Sequence, residues 1–131
     1  MTTTVYWKEG MHFCTRVQSG QLMCDESSEI GAAYPSSPEL LMASLGSCLA
    51  SVLILYGRHH DYDLDGLQVD LDWEMAENPH RIGAISVRVH LPETIPAEQQ
   101  PICERVAHSC LIHNTLLNAP QIDLTIETRE G

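Results

Sequence analysis

Cationic and aromatic side chains are the scarce materials of this 131-residue chain. Seven Lys and Arg stand against eighteen Asp and Glu, a net charge of -11, and such a surface repels phosphate backbones and anionic headgroups. Nucleic-acid and membrane partners are set aside on that ground. One Phe, two Trp and four Tyr leave aliphatic side chains to fill most of any core, which a 44% hydrophobic content allows in a single domain spanning residues 1–131. There is no CxxC pair: the five cysteines, Cys14, Cys24, Cys48, Cys103 and Cys110, are odd in number and scattered, so neither a zinc site nor a disulfide framework is expected. The opening MTTTVYWKEG has no basic segment leading into an apolar run, so the expected compartment is the reducing cytoplasm. The longest uncharged run, Leu40 to Tyr56, falls just short of transmembrane length and is interrupted by Ser44, Gly46, Ser47 and Ser51, so no span is expected.

That run is nonetheless the stretch around which the chain is organised. In Ser37 to Arg58, Ser37 suits an N-cap, Pro38 the first helical position, and Glu39 the first turn, where the helix dipole favours an acid. Apolar residues then occur on every face, which predicts a helix wrapped by protein on most sides. Ser44, Cys48 and Ser51 fall at i, i+4 and i+7, on one stripe, and Gly46 and Ser47 leave room beside the thiol. A buried structural cysteine is the plain reading of that position.

Around this helix the patterning is mostly that of strands. Val5 to Trp7, Phe13 to Val17 and Gln21 to Cys24 form an N-terminal meander, and Asp25 to Ser36 a loop leading into the helix, so that residues 1–36 are meander and loop. Cys14 and Cys24 fit small buried hydrophobes there. After the helix, Asp61, Asp63, Asp65 and Gly66 mimic a calcium loop, but Leu67, Val69, Leu71, Trp73 and Met75 alternate with polar residues and specify a half-buried strand instead. An acidic, solvated connector accounts for this segment and for His59 and His60. Glu77-Asn78-Pro79 is a turn, and Ile85, Val87, Val89 and Leu91 form the returning strand of a long hairpin. The stretch PAEQQPICERVAHSC predicts a second helix with Pro101 near its first turn, and the alternation of Ile122, Leu124 and Ile126 predicts a final strand. The class is therefore α+β, with mostly antiparallel sheets wrapped around a long central helix and a second helix.

Two segments, SPELLMASLGSCLA (Ser37 to Ala50) and HSCLIHNTL (His108 to Leu116), in this order and flanking a long hairpin, resemble the OsmC/Ohr family. The resemblance implies a thiol-dependent peroxidase that reduces organic hydroperoxides, an antioxidant role in oxidative stress, no bound cofactor, an external dithiol reductant, and an intertwined homodimer. By position, Cys48 matches the attacking cysteine, Cys110 the resolving one, and Glu39 the helix-start glutamate that an arginine pairs with in peroxide-reducing members. Two features depart from that pattern. Glu39 precedes Cys48 by nine residues rather than ten, which turns it to the opposite side of an ideal helix, and no arginine occurs in YWKEGMHF, leaving Lys8 or Arg16 to serve.

The reaction requires two sulfurs that meet. Cys48 and Cys110 lie on different elements, so tertiary packing can bring them together, whereas Cys103 and Cys110 on one continuous helix would have Cα atoms about 10.5 Å apart, too far for a disulfide. Activation requires a lowered thiol pKa, and Cys48 lies too deep in its helix to gain from that helix's own dipole, so a cation is expected beside it. His113, three residues after Cys110, is a candidate supporting base, although a packed histidine is the simpler reading. Two further readings remain open: an OsmC-like protein that binds a small apolar or thiol-bearing ligand without peroxide turnover, and a purely structural set of cysteines.

Overall fold

The computed structural model describes residues 1–27 and 32–129. Residues 28–31, in the middle of the expected loop, lie outside the described residues. Three strands open the chain, β1 (Thr4–Glu9), β2 (His12–Val17) and β3 (Gly20–Asp25), paired antiparallel in the order β1-β2-β3. Turns at Gly10 and Gly20, both at positive φ, make these connections. Cys14 and Cys24 are buried at 7% and 8% exposure, as the patterning led us to expect.

The long helix α1 runs from Ser37 to His59. Its N-cap is Ser36 rather than Ser37: the Ser36 hydroxyl accepts from the Glu39 N–H while the Glu39 carboxylate accepts from the Ser36 N–H and hydroxyl, a reciprocal capping box. Ser37 has another role, donating its N–H and hydroxyl to Glu26 at 2.6 and 2.7 Å, which ties the end of the meander to the helix start. Asp25, next in line, accepts from the Ser27 N–H and hydroxyl and the Ala33 N–H, and lies 3.2 Å from His12 Nε2. These hydrogen bonds, Ser27 foremost, hold its carboxyl below the usual carboxylate range.

Beyond α1 come β4 (Gln68–Ala76) and β5 (Arg81–His90), an antiparallel pair with one register shift between Glu74 and Met75. Their apolar alternation is buried only toward one end, where Leu67, Val69, Leu71, Ile85 and Val89 pack on the core, whereas Trp73 and Met75 are exposed. A 3₁₀ turn at Ala97–Gln99 then leads into α2 (Gln100–Ala107), with Pro101 in its first turn.

Two expectations are corrected here. The second helix is not continuous: it ends at Ala107, and after His108 and Ser109 a separate helix α3 (Leu111–Leu117) begins with Cys110 as its N-cap. The final strand does not form: residues 118–129 carry no regular structure, and Ile122, Leu124 and Ile126 are 82–89% exposed. A strand has no means of satisfying its backbone without a neighbour, and among the described residues the segment has none.

The core is small and one-sided. Leu45, Leu49, Leu53, Ile95, Cys103 and Cys110 form it, with Cys48, Tyr56, the hairpin's inner residues and the α2–α3 region packed against it. No residue of the meander belongs to this cluster. Nor is α1 wrapped on most sides, because Ala43, Ser44, Ser47, Ser51 and Leu55 line an exposed face. By length and composition α1 could cross a membrane, but its buried face supplies half of this core, the behaviour of a core helix. Leu53, 1% exposed, sits at the centre. Replacing it with Ala should cost about 2–5 kcal/mol of unfolding free energy, read as a lower urea midpoint at unchanged slope.

Candidate functional site

The interruption after α2 brings the two expected thiols into contact. Because Cys110 caps α3 from an extended backbone (φ -60°, ψ 128°), the N–H groups of the first turn of α3 are left without intrahelical partners and face outward along the axis. The Cys110 sulfur takes one of them, the His113 N–H, at 3.4 Å. Cys48 arrives beside them from the middle of α1, where the backbone N–H groups of Ile112 and Leu111 and the Cys110 thiol favour its thiolate.

This arrangement polarises the pair. The Ile112 N–H first, then the Cys110 thiol and the Leu111 N–H, lower the Cys48 pKa from its ordinary value against the opposing effect of burial. Cys110 moves the other way. It is fully buried at 0% exposure, and burial, together with donation of its proton to Cys48, raises its pKa. One thiol is prepared to ionise and its neighbour to remain protonated. Within the chain, it is these backbone N–H groups and the Cys110 thiol that lower the pKa of Cys48.

The other thiols are set apart from this pair. Burial raises Cys103, and Cys24 is pushed up to about 11 by burial, by its 2.9 Å hydrogen bond to Glu26 and by the charges of Glu26 and Asp25. All five cysteines are free thiols.

The remaining expected site residues do not join Cys48 and Cys110 within the chain. Glu39 is held in the capping box, about 13.5 Å along the helix from Cys48 at 1.5 Å per residue. Lys8 is exposed on β1, and Arg16 on β2 lies over the Tyr6 ring at 5.1 Å, both in a sheet that shares no core with the thiols. His113 is close to the pair, but through its backbone N–H; its Nδ1 is buried without a hydrogen-bond partner, and its ring stands 5.2 Å from that of His108. Sequence patterning missed the N–H groups of Ile112, the leading contributor, and of Leu111. The only available signal was Ser109, a type favoured at helix starts, just before the apolar run LIHNTLL.

A family model described as OsmC-like protein matches residues 30–125. The chain belongs to the OsmC-like family. Solved structures place this OsmC-like chain in the same fold. One is a putative osmotic stress induced and detoxification response protein from Psychrobacter arcticus, 19% identical at a TM-score of 0.78 over 88% of this chain and 87% of that one. Another is an OsmC like protein from Mycoplasma pneumoniae, 18% identical at 0.76 over 90% and 87%. A third is the organic hydroperoxide resistance protein OhrB of Bacillus subtilis, 16% identical at 0.66 over 91% and 93%. No curated protein matches the chain. The family model shows the family, and the solved structures show the fold.

The thiol pair has a direct signature. Alkylation of native protein by iodoacetamide against pH should give Cys48 an apparent pKa below that of an ordinary thiol, and Cys110→Ala, which removes one of its donors, should move that midpoint upward. Mass spectrometry of the Cys48 and Cys110 peptides assigns the sites.

Proposed function

We propose that this protein is a thiol-dependent peroxidase acting on organic hydroperoxides, with Cys48 as the peroxidatic cysteine and Cys110 as the resolving one. The contact of the two sulfurs at the start of α3, with opposite shifts in acidity, carries this reading. The Cys48 thiolate attacks the distal oxygen of R–OOH; the O–O bond breaks, the proximal oxygen takes a proton and leaves as R–OH, and Cys48 becomes a sulfenic acid. The Cys110 thiol then attacks the sulfenic sulfur, water leaves, and a disulfide joins the two residues. A dithiol reductant exchanges through a mixed disulfide, takes the pair back to two thiols and departs as its own disulfide, so no bound cofactor is needed. Five free cysteines suit a reducing compartment, which for this chain is the cytoplasm.

In this reading Glu39 keeps its cap, and any contribution it, Lys8 or Arg16 makes to the thiols comes across a subunit boundary. The working unit is an intertwined homodimer. A compact monomer of 14.6 kDa exposes about 6,900 Å² by the usual scaling, whereas this chain exposes 10258 Å². The excess, about 3,300 Å² on each chain, is more than enough for an obligate dimer interface, which buries roughly 2,000–5,000 Å² counted over both partners. Trp7, Leu55, Leu111 and the Ile122, Leu124 and Ile126 row are all exposed apolar residues that such an interface would use.

A second reading, ligand binding without turnover, is favoured by one observation: Glu39 is committed to Ser36 and no cation stands with Cys48 among the described residues. Kinetics separate the two. With dithiothreitol or dihydrolipoamide, purified protein should consume tert-butyl hydroperoxide; Cys48→Ser should abolish consumption, and Cys110→Ser should leave a first, stoichiometric turnover while slowing the cycle. Wild type no faster than Cys48→Ser rejects the peroxidase.

The assembly has its own measurement. Sedimentation should give a dimer near twice 14.6 kDa, and Leu124→Asp, which places a charge in the exposed apolar row, should shift it toward monomer.

A further inference from the structure

A cavity of about 500 Å³ opens between α1, β5 and the α2–α3 region, on the other side of the core from the exposed face of α1. Leu49, Leu53, Val87, Val89 and Leu91 make its walls aliphatic, and Gln100, Glu104, His108 and His113 supply its polar groups. Cys48 does not line it. A cavity of this size, with an aliphatic wall facing a polar one of similar extent, can hold a small amphipathic molecule.

One polar group here is left without a partner. His113 Nδ1 is shielded from solvent and unpaired, and a buried polar nitrogen in that state costs about 1–3 kcal/mol. An occupant with a hydrogen-bonding head removes that cost once the ring turns about its Cβ–Cγ bond, which exchanges Nδ1 and Cδ2 with almost no change in outline. The sign of the head is limited by charge: Glu104 stands among the lining residues, and the chain as a whole carries -11. A carboxylate or phosphate is disfavoured there, whereas a hydroxyl can both donate to and accept from an imidazole.

We propose that this cavity is a binding site for a neutral, linear aliphatic molecule with a hydroxyl-type head, its chain among Leu49, Leu53, Val87, Val89 and Leu91 and its head on the imidazole of His113. The same residue donates its backbone N–H to Cys110 Sγ, so an occupant that reorients His113 is felt at the buried thiol of the redox pair. The proposal does not rest on peroxide turnover, because it uses neither cysteine as a reagent.

The probe is 1-octanol, followed by methyl chemical shifts of the full-length protein and by calorimetry, in wild type and in Cys48→Ser protein side by side so that binding and turnover fail independently. The methyls of Leu53, Val89 and Leu91 should shift together in both. His113→Phe, which keeps the ring and removes both nitrogens, should weaken binding at least tenfold; His113→Asn, whose amide occupies the place of Nδ1, should restore most of it. Octanoate should bind more weakly than 1-octanol. Equal affinity of wild type and His113→Phe overturns the proposal, as does tighter binding of octanoate. So do nuclear Overhauser contacts from Ile122, Leu124 or Ile126 to Leu53 or Val89, which would give the cavity to a second copy's C-terminal segment.

Discussion

Cys110 closes a break between two short helices, and the approach of Cys48 to the start of α3 depends on that break. Had the helix continued from Gln100 through Leu117, the N–H groups of Leu111 and Ile112 would be spent on carbonyls four residues back. Because the chain stops at Ala107 and restarts at Cys110, those groups are free to meet the sulfur of Cys48, and the Cys110 thiol stands beside them as a further donor. A cysteine in mid-helix, cut off from its own helix's dipole, thus borrows the start of another. The arrangement also explains how opposite acidities can coexist in two adjoining thiols: hydrogen bonds favour the thiolate at Cys48, while desolvation and proton donation favour the thiol at Cys110.

The architecture around the pair leaves much apolar surface uncovered. The meander contributes nothing to the core, one face of α1 is bare, half of the hairpin's apolar row is exposed, and the last apolar alternation has no ladder. Each of these is a place where the pattern calls for burial and a single chain does not provide it. The proposed homodimer would cover all four. The link between meander and body is instead polar, through Glu26 on Ser37 and the Asp25 hydrogen bonds, which fixes the direction of the meander without requiring a packed face.

Glu39 has a local role that stands by itself. Its position after Ser36 and Pro38 satisfies the capping box fully, and this alone accounts for a glutamate there. The nine-residue spacing to Cys48 turns it away from the thiol within the chain, as helix geometry requires, so its local duty is evident and a remote one needs a second subunit.

Much was decided by the chain's own letters. The 3.6-residue and two-residue periodicities located α1, the meander and the hairpin, and the cap residues located the helix start to within one position, because these depend on backbone geometry and near neighbours. The buried states of Cys14 and Cys24 followed from the same patterns. What only the tertiary structure decided is the site: the stop at Ala107, the meeting of Cys48 with Cys110, the donors Leu111 and Ile112, and the unpaired nitrogen of His113. Backbone N–H groups are the same in every residue but proline, so nothing in a sequence marks which ones will be left over, and a contact between distant sulfurs exists only once packing against Leu49, Leu53 and Cys103 has set where the second helix must end.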